Sequence, residues 1–199
     1  MSHLALRKRL CNIAKQFYDK GWMLGTAGNL SVRTADNTIW MTASGQNKGE
    51  LTPQELLLLT PDGKVLWSAN EHLKPSAETS IHLSIYRQFP NVRACLHVHM
   101  LESNWLCRKH PESQIELASL EMLKGLGAHP KPRIEVVPNH RHVPDIPEEL
   151  ERRYRSAPPQ VPGFLIRDHG ITAWGADLSQ ARNYIELFSY VFSFMCREY

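Results

Sequence analysis

The sequence predicts an α/β fold, a three-layer-like sandwich in which helices cover a largely antiparallel or mixed central sheet. Three observations carry that expectation. Apolar residues recur at helical spacing near both ends of the chain. Short apolar or β-branched runs bounded by glycine, proline and Asp-Asn turns fill much of the middle. The two kinds of element alternate without a strict β-α-β rhythm. A chain of 199 residues is long enough to bury a full hydrophobic core, and it is read as one domain over 1–199.

A first helix is expected over residues 4–20, where Leu6, Leu10, Ile13, Ala14 and Phe17 share a face, and it stops before Gly21. Runs at 30–33 and 38–42 flank Asp36-Asn37 and read as a hairpin; those at 56–59 and 64–67 flank the Pro61-Asp62-Gly63 turn. Residues 76–89 read as a helix with Glu78 in its first turn and Pro90 ending it. Residues 92–99 form a buried-strand candidate, as do 134–137 and 164–166, and 171–174 pairs naturally with the last. The proline-rich stretch 138–162 leaves room for a short helix over 147–154. A long final helix starts near Asp177 or Ser179 and runs to Tyr199, with Tyr184, Phe188, Val191 and Phe194 on its inner face.

Apolar content of 42% and charged content of 22% describe a soluble globular protein rather than a disordered one. The net charge of +3 is small and the basic residues are scattered, which argues against nucleic acid as a partner. A mild positive field instead suits a small anionic substrate. No apolar stretch is long enough to cross a bilayer, and the start, Met1-Ser2-His3-Leu4, shows no signal peptide. Cys11, Cys95, Cys107 and Cys196 have no short pairing pattern and read as reduced thiols, so the expected location is the cytoplasm.

The chemistry concentrates in histidines. His97 and His99 close the apolar run at 92–96, and alternate strand residues share a face, so both imidazoles can reach one metal ion. An isolated His-x-His equally describes two strand histidines satisfied by hydrogen bonds. His169, in Arg167-Asp168-His169-Gly170 between two apolar runs, adds a third donor. Three histidines with an open position is the arrangement of catalytic zinc, whereas structural zinc is usually closed by four protein ligands, often cysteine. The second pair, His140 and His142, lies in the proline-rich stretch and reads as surface or substrate-adjacent; His3, His72, His82, His110 and His129 show no such pattern.

Three loops offer hydroxyl groups and free backbone N–H groups for an anion: 25–31 and 42–45, both with glycine, and 74–79 at a helix start. Each alone is an ordinary turn. Lys48 follows the second and can supply a point charge to the same phosphate.

In this order the motifs GTAGNLSVR (25–33), TASG (42–45), PSAE (75–78), HVH (97–99) and DHGITAWG (168–175) resemble the class II aldolase/adducin family over nearly the whole chain. The resemblance implies one Zn²⁺ held by His97, His99 and His169, a phosphate surrounded by Gly28, Asn29, Ser44, Gly45 and Ser76, and a homotetramer. The stretches GWMLGTAGN, SGQNKG, KPSAET and LEMLKG are similar to a dehydratase branch of that family. This implies zinc-dependent dehydration of 5-methylthioribulose 1-phosphate to 2,3-diketo-5-methylthiopentyl 1-phosphate in methionine salvage. Glu121 then matches the branch's acid/base glutamate, and Glu78 the one used by the aldolases. The rival readings are an aldolase or epimerase on the same zinc site and a non-enzymatic adducin-like binding module. Two departures stand out: Ala77 replaces a hydroxyl residue of the family's PSSE, and Asp168 replaces the aldolases' asparagine before the third histidine. Trp22, Met23 and Trp105 are candidates for the methylthio end or for the core.

Overall fold

The computed structural model describes residues 2–127 and 131–197, so Met1, His129 and the expected helix end at Tyr199 lie outside the described residues. Among the described residues nine strands form one sheet: β1 (Asn29–Arg33), β2 (Ile39–Thr42), β3 (Leu56–Leu59), β4 (Val65–Trp67), β5 (Ala94–Val98), β6 (Gln114–Glu116), β7 (Arg133–Val137), β8 (Gly163–Ile166) and β9 (Gly170–Gly175). Their order is β4-β3-β2-β1-β5-β9-β8-β7-β6, with every pair antiparallel except β7–β8. Helices α1 (His3–Asp19), α3 (Leu101–Lys109) and α5 (Leu178–Arg197) cover one face; α2 (Thr79–Gln88) and α4 (Asp145–Ser156) cover the other. The three-layer sandwich is as expected. No described helix is long and apolar enough to cross a membrane.

Strand alternation divides the interior into two cores. In β5, Ala94, Leu96 and Val98 join the core under α1, α3 and α5, whereas Cys95 joins the one under α2 and α4. His97 shares the Cys95 face. The hairpin expected around Asp36-Asn37 is β1–β2, with Asn37 at φ 66°, a backbone state that asparagine tolerates. Cys11, Cys95 and Cys107 are buried, Cys196 is half-buried, and all are free thiols.

Five elements depart from the sequence reading. Helix α2 starts at Thr79, so Glu78 is its N-cap rather than a first-turn residue; the Ser76 carbonyl accepts from the Thr79 amide (3.0 Å) and hydroxyl (2.7 Å). Helix α3, strand β6 and a 3₁₀ turn over Glu121–Leu126 were not anticipated. In α3 the hydrophobic pattern is broken at its start: Leu101 is 81% exposed, while Ser103 is buried along with Leu106 and Cys107 and donates to the Met100 carbonyl at 2.7 Å. In α5 the buried stripe is Phe188, Val191, Phe192 and Met195, which follow i, i+3, i+4, i+7; Phe194 falls off that stripe and faces outward with Tyr190.

Candidate metal centre and anion cavity

His97 lies at the end of the central strand β5, paired with Asn29 on β1 and Thr172 on β9. Thr172 Oγ1 lies 3.0 Å from His97 Nδ1. With Nδ1 donating there, the Nε2 lone pair faces inward, the usual way a partner fixes a ligand's tautomer. His99 follows the strand, its amide donating to the Trp22 carbonyl at 2.9 Å. His169 sits in the β8–β9 turn, whose Asp168 adopts φ 53° and pairs with Arg108 at 2.7 Å. Arg167 anchors that turn by donating to the carbonyls of Cys107, His110, Pro111 and Glu112.

The three imidazoles converge. His97 Nε2 and His99 Nε2 are 3.0 Å apart, and Glu78 Oε1 lies 2.9 Å from His169 Nε2 and 3.6 Å from His97 Nε2. The four donor atoms all lie within 4.8 Å of one another. Tetrahedral donors about 2.0–2.1 Å from zinc would sit roughly 3.3 Å apart, so these separations fit a divalent ion with little movement. Burial pushes His97 down to about 4 and His99 to about 3, which keeps both imidazoles neutral with lone pairs available. Burial alone would raise Glu78, but His97, His169 and the Asn29 amide, whose Nδ2 donates to Oε2, hold its carboxyl well below the usual range. Glu78, read from the sequence as an acid/base group, thus stands among the metal donors as an ionised carboxylate.

Beside this cluster lies a cavity of about 180 Å³ lined by Thr26, Ala27, Gly28, Asn29, Ala43, Ser44, Gly45, Lys48, Ser76, Glu78 and His99. All six residues expected around the phosphate are there, joined to the metal donors through Glu78 and His99. Lys48 is only 1% exposed, and its ammonium donates to the carbonyls of Thr26 (3.0 Å) and Gln46 (2.7 Å). No carboxylate among the described residues pairs with it, and burial pulls it down to about 8. Asn29 Oδ1 is a buried acceptor without a protein partner.

Glu121 is not in this assembly. Its side chain is 81% exposed on the 3₁₀ turn and pairs with Lys124 at 2.8 Å, so one chain does not bring it to the histidines. His140 and His142 bond Glu149 (2.8 Å) and Asp145 (2.7 Å) around α4, away from the cluster. Met23 belongs to the core, with Trp22 and Trp105 packed against it. Thr26, Ala27, Ala43 and Thr172 were not singled out from the sequence, although all lie inside motifs quoted above.

The sequence matches the class II aldolase and adducin N-terminal domain over residues 8–196. The chain belongs to the class II aldolase and adducin family. Among its relatives, a methylthioribulose-1-phosphate dehydratase from Microcystis aeruginosa is 44% identical over 196 residues, covering 97% of this chain and 96% of that protein. Among solved structures, YgbL from Escherichia coli superposes with a TM-score of 0.81 at 27% identity, over 96% of this chain and 88% of that one. The L-fuculose-1-phosphate aldolase of Thermus thermophilus shares the fold, with a TM-score of 0.77 at 23% identity over 99% and 96% of the two chains.

Proposed function

We propose that the chain is a cytoplasmic hydro-lyase of methionine salvage, a single class II aldolase domain. In this reading it catalyses zinc-dependent dehydration of 5-methylthioribulose 1-phosphate to 2,3-diketo-5-methylthiopentyl 1-phosphate. The observation that carries the proposal is the 180 Å³ cavity, in which Glu78 and His99 border Lys48, Ser44 and Ser76. A ketose phosphate needs that adjacency, with its phosphate on the ammonium and hydroxyls and its carbonyl end toward the histidines.

His97, His99 and His169 would hold Zn²⁺, and a bound zinc ion supplies Lewis-acid polarisation of a carbonyl. The chain's own groups do the rest. Lys48, with Gly28, Asn29, Ser44, Gly45 and Ser76, binds the phosphate and fixes the sugar's direction. Asn29 Oδ1 is available to a sugar hydroxyl. Glu78, ionised and held by the Asn29 amide, accepts the proton from the carbon next to the carbonyl. The hydroxyl one carbon further on leaves with a proton as water, and the enol left behind tautomerises to the diketone. Glu121 donates that proton, acting from a neighbouring copy of the chain in a homotetramer. Its exposure, together with outward-facing Tyr190 and Phe194 on α5, supports such an assembly.

The test is diketone formation by zinc-loaded protein, with Glu78→Gln and Glu121→Gln alongside. Activity lost in both variants supports the two roles. Full activity in Glu121→Gln would remove that residue from the mechanism, and no diketone from metal-replete protein would sink the dehydratase reading. One observation favours a second reading: Glu78 stands with the histidines while Glu121 does not, which is the set needed for retro-aldol cleavage or epimerisation of a sugar phosphate. Assaying aldehyde release from ketose phosphates separates the two. The complete donor set argues against a non-enzymatic module.

A further inference from the structure

Three polar rungs join helix α2 to strand β1. Asn29, Ser31 and Arg33 recur at the strand period of two, and Glu78, His82 and Tyr86 at the helix interval of four. Asn29 Nδ2 donates to Glu78 Oε2. Ser31 Oγ lies 2.7 Å from both His82 Nδ1 and the Tyr86 hydroxyl. Arg33 donates to the Tyr86 carbonyl at 3.2 Å and sets its guanidinium 5.1 Å from the centre of the Tyr86 ring. Two strand residues rise about 6.6 Å and four helical residues about 6.0 Å, so the rungs stay in step along the contact.

The middle rung is the unusual one. Ser31, His82 and Tyr86 are all buried, where apolar side chains of the same volume would avoid the cost of desolvating polar groups. His82 Nε2 is buried without a protein partner, and the charge of Glu78, one helical turn earlier, is felt at the imidazole. Buried polar networks of this kind favour one arrangement over its neighbours, because sliding the helix by a fraction of a turn unpairs several groups together.

We propose that Ser31, His82 and Tyr86 are positioning residues that lock the height of α2 on β1 and thereby hold the Glu78 carboxylate against His97 and His169. The inference rests on Glu78 acting at a metal centre, as above, and holds whichever sugar-phosphate reaction follows. No role in binding or proton transfer is required of the three residues themselves.

The test uses the full chain with His82→Phe and Tyr86→Phe, and with Ile85→Val, a buried neighbour on α2, as a control for lost stability. Co²⁺ affinity by chelator competition and the visible spectrum of the Co²⁺ protein are read beside the thermal midpoint, kcat and KM. We expect both rung variants to bind Co²⁺ about 10- to 100-fold more weakly with a shifted spectrum, and to lose kcat at little-changed KM. Ile85→Val should lower the midpoint only. In a Glu78→Gln background, His82→Phe should cause no further loss of Co²⁺ affinity, because its effect passes through that carboxylate. Rung variants that lower the midpoint as Ile85→Val does while leaving Co²⁺ affinity and spectrum intact would overturn the proposal, as would fully additive losses in the double variant. Should His82→Phe fail to fold, Tyr86→Phe, which deletes one hydroxyl, carries the same test. Absence of diketone would overturn the dehydratase reading alone, since the Co²⁺ readout does not depend on turnover.

Discussion

Replacing Gly28 by alanine should destabilise the protein through two separable effects. The residue sits at φ 74°, where an L side chain costs about 1–2 kcal/mol. An added Cβ would also lie 2.6 Å from Met23 Cε and 2.8 Å from the His97 carbonyl oxygen. The methionine end can swing aside, but that carbonyl belongs to the central strand and cannot retreat without moving a metal donor. Relieving such overpacking costs about 1–3 kcal/mol, so Gly28→Ala should lose about 2–5 kcal/mol in total. Gly25 supplies the internal control. It has φ 60° with nothing within 4 Å of its would-be Cβ, so Gly25→Ala should show the backbone cost alone. Urea denaturation of the metal-free proteins, at one protein concentration and with m-values compared, measures both. The excess loss in Gly28→Ala reports the close approach, and Co²⁺ affinity should fall with it. Equal losses in the two variants would refute the reasoning, because the loop would then relax around the new methyl group without disturbing His97.

Two further predictions follow from buried charge. Burial lowers His82 and His97 from an ordinary 6.5 to about 4, so between those pH values the unfolded chain binds protons that the native one refuses. Metal-free protein should therefore lose stability as pH falls from about 6.5 to about 4, each histidine adding up to about 1.4 kcal/mol per pH unit; a flat denaturation profile there would contradict their burial as neutral groups. Lys48→Met keeps the buried stem and removes the charge at the anion cavity. KM for a phosphorylated substrate should rise about tenfold or more, the scale of one charge-assisted hydrogen bond, and inhibition by inorganic phosphate should weaken in parallel; unchanged values would place the phosphate elsewhere.

The layers and most strands were legible because their signals are local. The run at 56–59 emerges as β3, and the hairpin around Asp36-Asn37 as β1–β2. The histidine cluster was legible for the same reason, since His97 and His99 follow strand spacing and His169 sits at a tight turn, whereas the place of Glu78 beside them was not. What escaped was tertiary in origin. Helix α3 carries an exposed leucine and a buried serine, so Leu106 and Cys107 alone mark its core face and the periodicity is too weak to read. Phe194 reads as core by composition but lies off the buried stripe of α5. The Ser31–His82–Tyr86 rung was invisible because serine, histidine and tyrosine have no joint signature when a strand and a helix supply them from distant parts of the chain. Glu121 shows the limit of a motif, which singles out a residue without saying that the fold leaves its side chain exposed on a turn and paired with Lys124.

The central place of β5 also bears on how the protein is made. Its partners are far away in sequence: Ser31 reaches Cys95 across 64 positions, and His97 reaches Thr172 across 75. Such pairings form late, since the loop-closure entropy must be met before any contact rewards it. A nascent chain that has just emerged past His99 therefore holds two of the cluster's histidines without the third or the β9 strand that flanks them. Only when β9 docks on β5 does His169 arrive, so tight capture of a metal ion would report that the two halves of the sheet have joined.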